Sequence, residues 1–143
     1  MHAQQISVFL ENKAGRLAEV TKVLSQAGVN IRALSLADTS DFGILRLILD
    51  KNDTAVEALK NAGFTVRKTQ VAAVEVPDRP GGLHDLLEYI NGRGINVEYM
   101  YAFVAPTKNN ALMIFRFDDA DAAVSALAEK GFAVIDGETL YTM

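Results

Sequence analysis

Two short polar turns carry the residues of this sequence best suited to bind a small charged ligand. They are Glu11-Asn12-Lys13-Ala14-Gly15-Arg16-Leu17 and Pro77-Asp78-Arg79-Pro80-Gly81-Gly82-Leu83. Each turn follows an alternating apolar run typical of a strand and precedes an apolar pattern of helical period. The first backbone N–H groups of a helix have no partner within it and lie at its positive end. Each turn is therefore a candidate site for an anionic group.

The small residues of the turns would let a ligand reach those amides. Gly15 and the Gly81-Gly82 pair have no side chains to block the approach, and Pro80 would fix the entry into the second helix without the loss of a hydrogen bond. Asn12 and Asp78 precede the glycines, and each could cap its helix or accept a hydrogen bond from a ligand ammonium group. A carboxylate on the helix end and an ammonium on nearby oxygens together describe a free α-amino acid.

The turns belong to a unit that the sequence repeats. The residues that correspond at one constant spacing are Leu17 and Leu83, Gly28 and Gly94, and Asn30 and Asn96. The repeat predicts two modules, residues 1–70 and 71–143, and a module of roughly 70 residues is marginally stable alone, so we expect a shared interface. Residues 66–76 form one unbroken extended pattern, so the last strand of the first module should run almost directly into the second module. Whether a strand is shared or exchanged stays open.

Each module is predicted to have the order β-α-β-β-α-β. In the first module strands are expected at about residues 4–10, 30–38 and 43–49, and in the second at about 71–76 and 96–105. Polar turns at 39–41 and 106–110 should join the middle strands. Glycines mark the predicted helix C-termini, where left-handed caps are favoured: Gly28, Gly63, Gly94 and Gly131.

The helices have further signals. The first helix is predicted to place Leu17, Val20 and Leu24 on one apolar face. Thr54 and Glu57 have the spacing of a capping box, and the acidic run 118–121 is typical of a helix N-terminus.

This order closes most simply as a four-stranded antiparallel sheet with both helices on one face, which is the α+β ferredoxin-like arrangement. Such a sheet should alternate between apolar and polar residues. However, the runs 44–49 and 112–115 are apolar on both sides, and Tyr99 and Tyr101 add aromatic side chains. We therefore expect the helix-free face to be covered, either by the other module or by a second chain, and we favour a homodimer.

The composition excludes several classes of function. The chain has 143 residues, of which 50% are hydrophobic and 22% charged, as in folded proteins. Its net charge of −4 provides no basic surface for nucleic acid or an anionic membrane. The absence of cysteine excludes thiolate nucleophiles and cysteine-based zinc sites. Without an apolar run of transmembrane length or a signal-peptide pattern, the expected location is the cytoplasm.

The sequence gives catalysis and metal binding little support. His2 and His84 are the two histidines, which is too few for a histidine-rich metal site, and the scattered acids lack the spacing of a calcium loop. There is no Ser-His-Asp constellation and no pair of carboxylates that the predicted topology would bring together. The protein is predicted not to be an enzyme, and no metal or cofactor is implied.

Together these features resemble the ACT domain, a regulatory module of amino-acid metabolism. The likeness rests on residues 12–17 and 78–83, each followed by a helix that ends in Gly-Val-Asn-Ile or Gly-Ile-Asn-Val, and it covers nearly the whole chain. It implies modules paired side by side through their second strands, with amino acids bound at the seam. The implied ligand contacts lie in the turns and at the starts of the second strands: Asn12, Ala14, Gly15, Arg16, Leu17, Asn30, Ile31, Asp78, Pro80, Gly81, Gly82, Leu83, Asn96 and Val97.

The resemblance implies a stand-alone regulatory protein that senses a small amino acid and biases the conformation of a partner. The first turn departs from the usual Pro-Gly pair because Ala14 precedes its glycine, so two different sites or one occupied site are both open. An alternative is a regulatory subunit of an amino-acid biosynthetic enzyme such as acetolactate synthase. For single residues, Asn12 and Asp78 could be helix caps, and Asn30 and Asn96 could bond their own backbones in the turn.

Overall fold

The computed structural model describes residues 2–38, 41–103 and 109–143. The chain divides into two compact units, Gln4–Thr69 and Gln70–Met143, and the second unit also contains the residues before Gln4. One strand, Thr65–Pro77, belongs to both units, which confirms the unbroken extended stretch predicted for residues 66–76. The boundary between modules at residue 70 stays a prediction.

The first unit has a four-stranded sheet with two helices. Its elements are β1 (Ala3–Glu11), α1 (Arg16–Gln26), β2 (Ile31–Asp38), β3 (Phe42–Leu49), α2 (Asn52–Asn61) and the first part of β4 (Thr65–Pro77). The strand order is β2-β3-β1-β4, and β3 pairs antiparallel with both β1 and β2. Alternate residues of β1 and β3, such as Ile6 and Leu47, pack with Val20 and Leu24 of α1 and Leu59 of α2. Both helices therefore cover one face of the sheet.

The second unit repeats this arrangement. Its elements are the rest of β4, α3 (Gly82–Gly92), β5 (Val97–Ala102), β6 (Asn110–Phe117), α4 (Ala120–Lys130), β7 (Val134–Ile135) and α5 (Gly137–Thr142). The strand order is β5-β6-β4-β7. Val74, Phe115 and Phe117 pack with Leu86 of α3 and Leu127 of α4. The predicted α+β ferredoxin-like fold is confirmed in both units.

Several predicted boundaries differ from the structure. β5 ends at Ala102, so the predicted strand 96–105 was too long at both ends. Part of that strand, most of the turn at 106–110 and part of the turn at 39–41 lie outside the described residues. The helix α5 was not predicted, and it begins after Asp136, whose carboxylate accepts a hydrogen bond from the Thr139 amide at 2.8 Å. This bond holds the pKa of Asp136 below its usual value.

The predicted capping box at the start of α2 was wrong. The helix begins at Asn52 and no side chain caps it, so Thr54 and Glu57 lie inside the helix. Asp53 instead pairs with Lys68, whose Nζ lies 2.6 Å from the carboxylate and lowers its pKa. The prediction for Asp119 at the start of α4 is confirmed, because its carboxylate accepts from the Ala122 amide at 3.1 Å.

Apolar residues on the helix-free faces are buried, as expected. Ile48 alternates with the core residue Leu47, and both are fully buried; Leu112 and Ile114 of β6 are buried as well. Leu17, by contrast, was predicted on the apolar face of α1 but is 39% exposed.

Candidate functional site

The two turns have the same backbone hydrogen bonds. In the first turn the amides of Asn12, Lys13 and Arg16 donate to the carbonyl oxygens of Asp41, Glu11 and Lys13 at 2.9, 2.9 and 3.4 Å. In the second turn the amides of Asp78, Arg79 and Gly82 donate to the carbonyl oxygens of Asn109, Pro77 and Arg79 at 3.3, 2.9 and 3.0 Å. The repeated sequence therefore folds into a repeated turn.

A glycine in the left-handed region ends each turn and begins its helix. Gly15 has a φ of 90° and Gly81 a φ of 85°, conformations that favour glycine. No side chain caps either helix. Asn12 and Asp78 are thus not helix caps, and that alternative is excluded.

Amide donors at both helix starts have no protein partner. Within the described residues, no hydrogen bond is formed by the amides of Leu17 and Ala18 in α1, or by those of Leu83 and His84 in α3. These groups point along the helix axis at its positive end. Both helix starts therefore present unbonded amide donors, and anion binding by them stays a prediction.

The starts of the second strands are also built alike. The amide of Asn30 donates to the carboxylate of Asp50 at 2.8 Å, and the amide of Asn96 donates to the carboxylate of Asp118 at 3.0 Å. The Asn30 and Asn96 carbonyl oxygens accept from the amides of the same two acids. Both asparagine side chains are exposed and have no partner within the described residues, so they do not bond their own backbones.

Asp50 and Asp118 were not among the residues predicted from the sequence. Each follows the third strand of its module, and they occupy matching places in the repeat. The sequence feature that could have identified them is an acidic residue directly after the third predicted strand in both copies of the repeat. These carboxylates fix the backbone before β2 and β5, and the side-chain amide groups of Asn30 and Asn96 are exposed there.

A cavity of about 380 Å³ adjoins the start of β2 in the first unit. Its lining consists of Thr21, Leu24, Ser25, Gly28, Val29, Asn30 and Ile31. These residues lie at the C-terminal end of α1, whereas the turn lies at its N-terminal end, roughly 16 Å away for a helix of this length. Within one module the structure does not bring the two predicted groups of ligand contacts together. A site that uses both groups must combine two modules.

Arg16 is held by its own module. Its guanidinium nitrogens lie 2.8 Å from Glu11 and 2.9 Å from Glu19, and the guanidinium also lies 5.9 Å from the centre of the Phe64 ring. Lys13 lies 3.3 Å from the same Glu11 carboxylate. The bonds from Arg16 and Lys13 lower the pKa of Glu11, and those to the acids raise the pKa of Arg16.

The second turn lacks this ionic cluster. Pro77 and Gly82 stand where the first turn has Glu11 and Arg16. Gly82 is buried, and a Cβ atom added to it would collide with the Pro77 carbonyl oxygen. The nearest ion pair joins Arg79 and Asp85 at 3.5 Å. Asp78 and Pro80 are exposed, so the backbone of the second turn is open to a ligand.

Other kinds of site find no support in the described parts of the chain. Residues 2–38, 41–103 and 109–143 contain no group of three or more His, Cys, Asp or Glu placed to hold a metal ion. Over the same ranges, no helix is both long and apolar enough to cross a membrane.

Comparison with known proteins identifies relatives over the full length. A family model described as an ACT domain pair matches residues 1–143. The crystal structure of a protein from Bacteroides thetaiotaomicron is 40% identical over 100% of this chain and 98% of that chain, with a TM-score of 0.94. Among curated proteins, no sequence matches.

More distant structures share the fold. The regulatory subunit of aspartate kinase from Thermus thermophilus, in its ligand-free form, is 18% identical over 90% of this chain and 92% of that chain, with a TM-score of 0.64. The corresponding subunit from Thermus flavus is also 18% identical, over 90% of this chain and 91% of that one, with a TM-score of 0.62. At this identity the likeness concerns the fold alone.

Proposed function

This chain belongs to the family of ACT domain pairs, and on that premise we propose that it is a non-enzymatic regulatory protein that binds a small free amino acid. The family gives it a regulatory, ligand-binding role. The finer statement, that the ligand is an amino acid bound at the strand-to-helix turns, rests on the geometry of those turns. Ligand linkage of about 1–3 kcal/mol would be enough to bias a partner's conformation.

The observation that supports this proposal most is the pair of uncapped helix starts. The unbonded amides of Leu83 and His84 suit a carboxylate, and the exposed carboxylate of Asp78 nearby in sequence suits an ammonium group. We favour the second turn, because Gly82 stands there in place of Arg16 and the Asp78 carboxylate is exposed. In the first turn Asn12 stands in place of the acid, and Arg16 lies over Glu11 and Glu19.

Isothermal titration with each of the twenty amino acids tests the proposal. We expect at least one of them to bind, and we expect Asp78→Ala to weaken that binding by on the order of tenfold, because a charged hydrogen bond is lost. Asn12→Ala is the matched control in the first turn and should have a smaller effect. Absence of binding for all twenty, or equal affinity in Asp78→Ala, would contradict the proposal.

A regulatory subunit of an amino-acid biosynthetic enzyme, such as acetolactate synthase, is the second candidate. The observation that favours a protein contact is an exposed apolar edge on the first unit, formed by Leu34 and Leu36 of β2, which are 42% and 49% exposed. Purification from the native cell distinguishes the two functions. A large catalytic chain that co-purifies would favour the subunit, and a chain that purifies with copies of itself would favour the sensor.

We further propose that this apolar edge joins two copies of the chain. Strand β2 lies at the edge of the sheet in the first unit, and Leu34 and Leu36 project on the face that the helices cover. The corresponding residues of β5 are Met100, which packs against the core, and Ala102. Leu36→Lys should therefore shift a dimer to monomer in analytical ultracentrifugation, and Ala102→Lys should not. Equal effects of the two variants would exclude this edge as the interface.

A further inference from the structure

A second cavity lies in the other unit, and neither Leu83 nor His84 is among its lining residues. It has a volume of about 310 Å³, near the lower limit for small-molecule sites. Its lining consists of Glu75, Pro77, Asn110, Lys130, Gly131, Phe132 and Ala133. All of these residues belong to Gln70–Met143. The cavity opens where β7 stops after two residues, so that the end of β4 pairs with β6 on one side and has no strand on the side of β7.

Two opposite charges line this cavity, and neither is neutralised by the protein. The half-buried Glu75 carboxylate accepts a hydrogen bond from the Asn110 side-chain amide at 3.2 Å, but it forms no ion pair within the described residues. Lys130 likewise forms no ion pair there, and its Nζ lies 5.6 Å from the centre of the Tyr89 ring. Lys130 is exposed, whereas Glu75 is half-buried, and a partly buried charge without a counter-ion is stabilised by a ligand that supplies one.

The first unit has different side chains at the positions equivalent to those that line the cavity. Strand pairing aligns Glu75 with Phe9 and Asn110 with Phe42, since Pro77 pairs with Asn110 as Glu11 pairs with Phe42. Lys130, directly before Gly131, aligns with Ala62, directly before Gly63, so the two charges of the cavity are found in one module only. They are not needed for the fold that both modules share.

We propose that this cavity binds a small zwitterion with a short apolar side chain, in which Glu75 accepts the ammonium group and Lys130 faces the carboxylate. The Asn110 amide holds the Glu75 carboxylate in place, and Pro77 and Phe132 provide the apolar wall. The backbone amide of Ala133, which has no partner within the described residues, offers a further donor to the carboxylate. This site goes beyond the proposed function, because it uses neither the helix-start amides nor Asp78.

Three related probes test each half of the zwitterion. Valine carries both charges, isobutylamine is valine without its carboxylate, and isovalerate is valine without its ammonium group. In ¹⁵N NMR spectra of the full chain, we expect valine and isobutylamine to shift the amides of Gly131, Phe132 and Ala133, and isovalerate to leave them in place. Glu75→Gln should weaken both binding events roughly tenfold or more, and Lys130→Met should weaken only valine binding.

The controls separate this site from the turns and from general effects of charge. Glu57→Gln removes an exposed acid of α2 and should change nothing at the cavity. Asp78→Ala should alter shifts at Gly81 while the cavity amides still respond, so the two proposals fail independently. Unchanged binding in Glu75→Gln, an isovalerate response equal to that of isobutylamine, or no response to any of the three probes would overturn the proposal.

Discussion

Arg16 and Gly82 occupy the same place in two turns whose backbones match bond for bond. In the first turn a long cationic side chain lies across two acids, and in the second there is no room for even a Cβ atom. Duplication preserved the path of the backbone, which the left-handed glycines Gly15 and Gly81 set. The residue after each glycine differs, and with it the ionic contacts beside the helix start.

This difference distinguishes the residues that the fold requires in both turns from the residues that can differ between them. A left-handed residue and a following helix are needed in both modules, so both keep a glycine there. Nothing in the fold requires the cluster of Glu11, Arg16 and Glu19, and the second module lacks it. If the modules bind ligands with different strengths, the first helical residue is the place where that difference arises.

The largest effect is expected for Gly82→Ala. The added methyl group meets the Pro77 carbonyl oxygen, so the turn must shift, and overpacking of this kind costs about 1–3 kcal/mol. Urea unfolding measures the change. Gly92→Ala lies in the same helix with no atom near its Cβ, and it should leave stability unchanged or raise it. Equal stability of the two variants would contradict the close packing at Gly82.

A smaller loss is expected when the acids behind the second strands are removed. Asp118→Ala deletes the acceptor for the amides of Asn96 and Asp119, and Asp50→Ala deletes the acceptor for the Asn30 amide. Each lost bond costs on the order of 1 kcal/mol, so the Asp118 variant should be less stable in urea. Asp118→Asn and Asp50→Asn keep an acceptor oxygen and serve as controls. A larger loss in Asp50→Ala would reverse this ranking.

The smallest effect concerns the charge of Glu11. Hydrogen bonds from Arg16, and then from Lys13, lower its pKa from the ordinary value of 4.5. A lowered pKa stabilises the folded state above that value, and the stabilisation is lost as the pH falls through the folded pKa. A ¹³C NMR titration of the carboxyl group should show this shift, and Arg16→Met should largely reverse it. Arg79→Met, in the other turn, should leave the Glu11 pKa where it is.

The fold followed from the sequence because its strongest signals are periodic and occur twice. Alternating strands, the two glycine turns and the glycines after the helices agreed across the repeat, and the structure confirms them. The site residues were placed at the turns for the same reason, although their role in binding stays a prediction. Leu17 was placed on the apolar face of α1 because it fits the helical period, but the buried residues of that helix are Val20 and Leu24, and Leu17 is 39% exposed.

Features that depend on a single contact could not be predicted from the sequence. The helix α5 has six residues, too few to show a helical period. Asp50 and Asp118 look like surface acids until the ends of the strands are known. Glu75 and Lys130 line one cavity beside the two-residue strand β7, and the sequence after Gly131 does not reveal where that strand pairing stops.

Because β4 is continuous through both units, the number of residues that it can gain without disturbing a core is restricted. Its inward residue in the first core is Val66, and those in the second are Ala72, Val74 and Val76. All are separated by even steps, and side chains of a strand change face at every residue. Inserting one residue at Gln70 would therefore turn one of these two sets of side chains away from its core. Inserting two residues would keep both sets directed towards their cores.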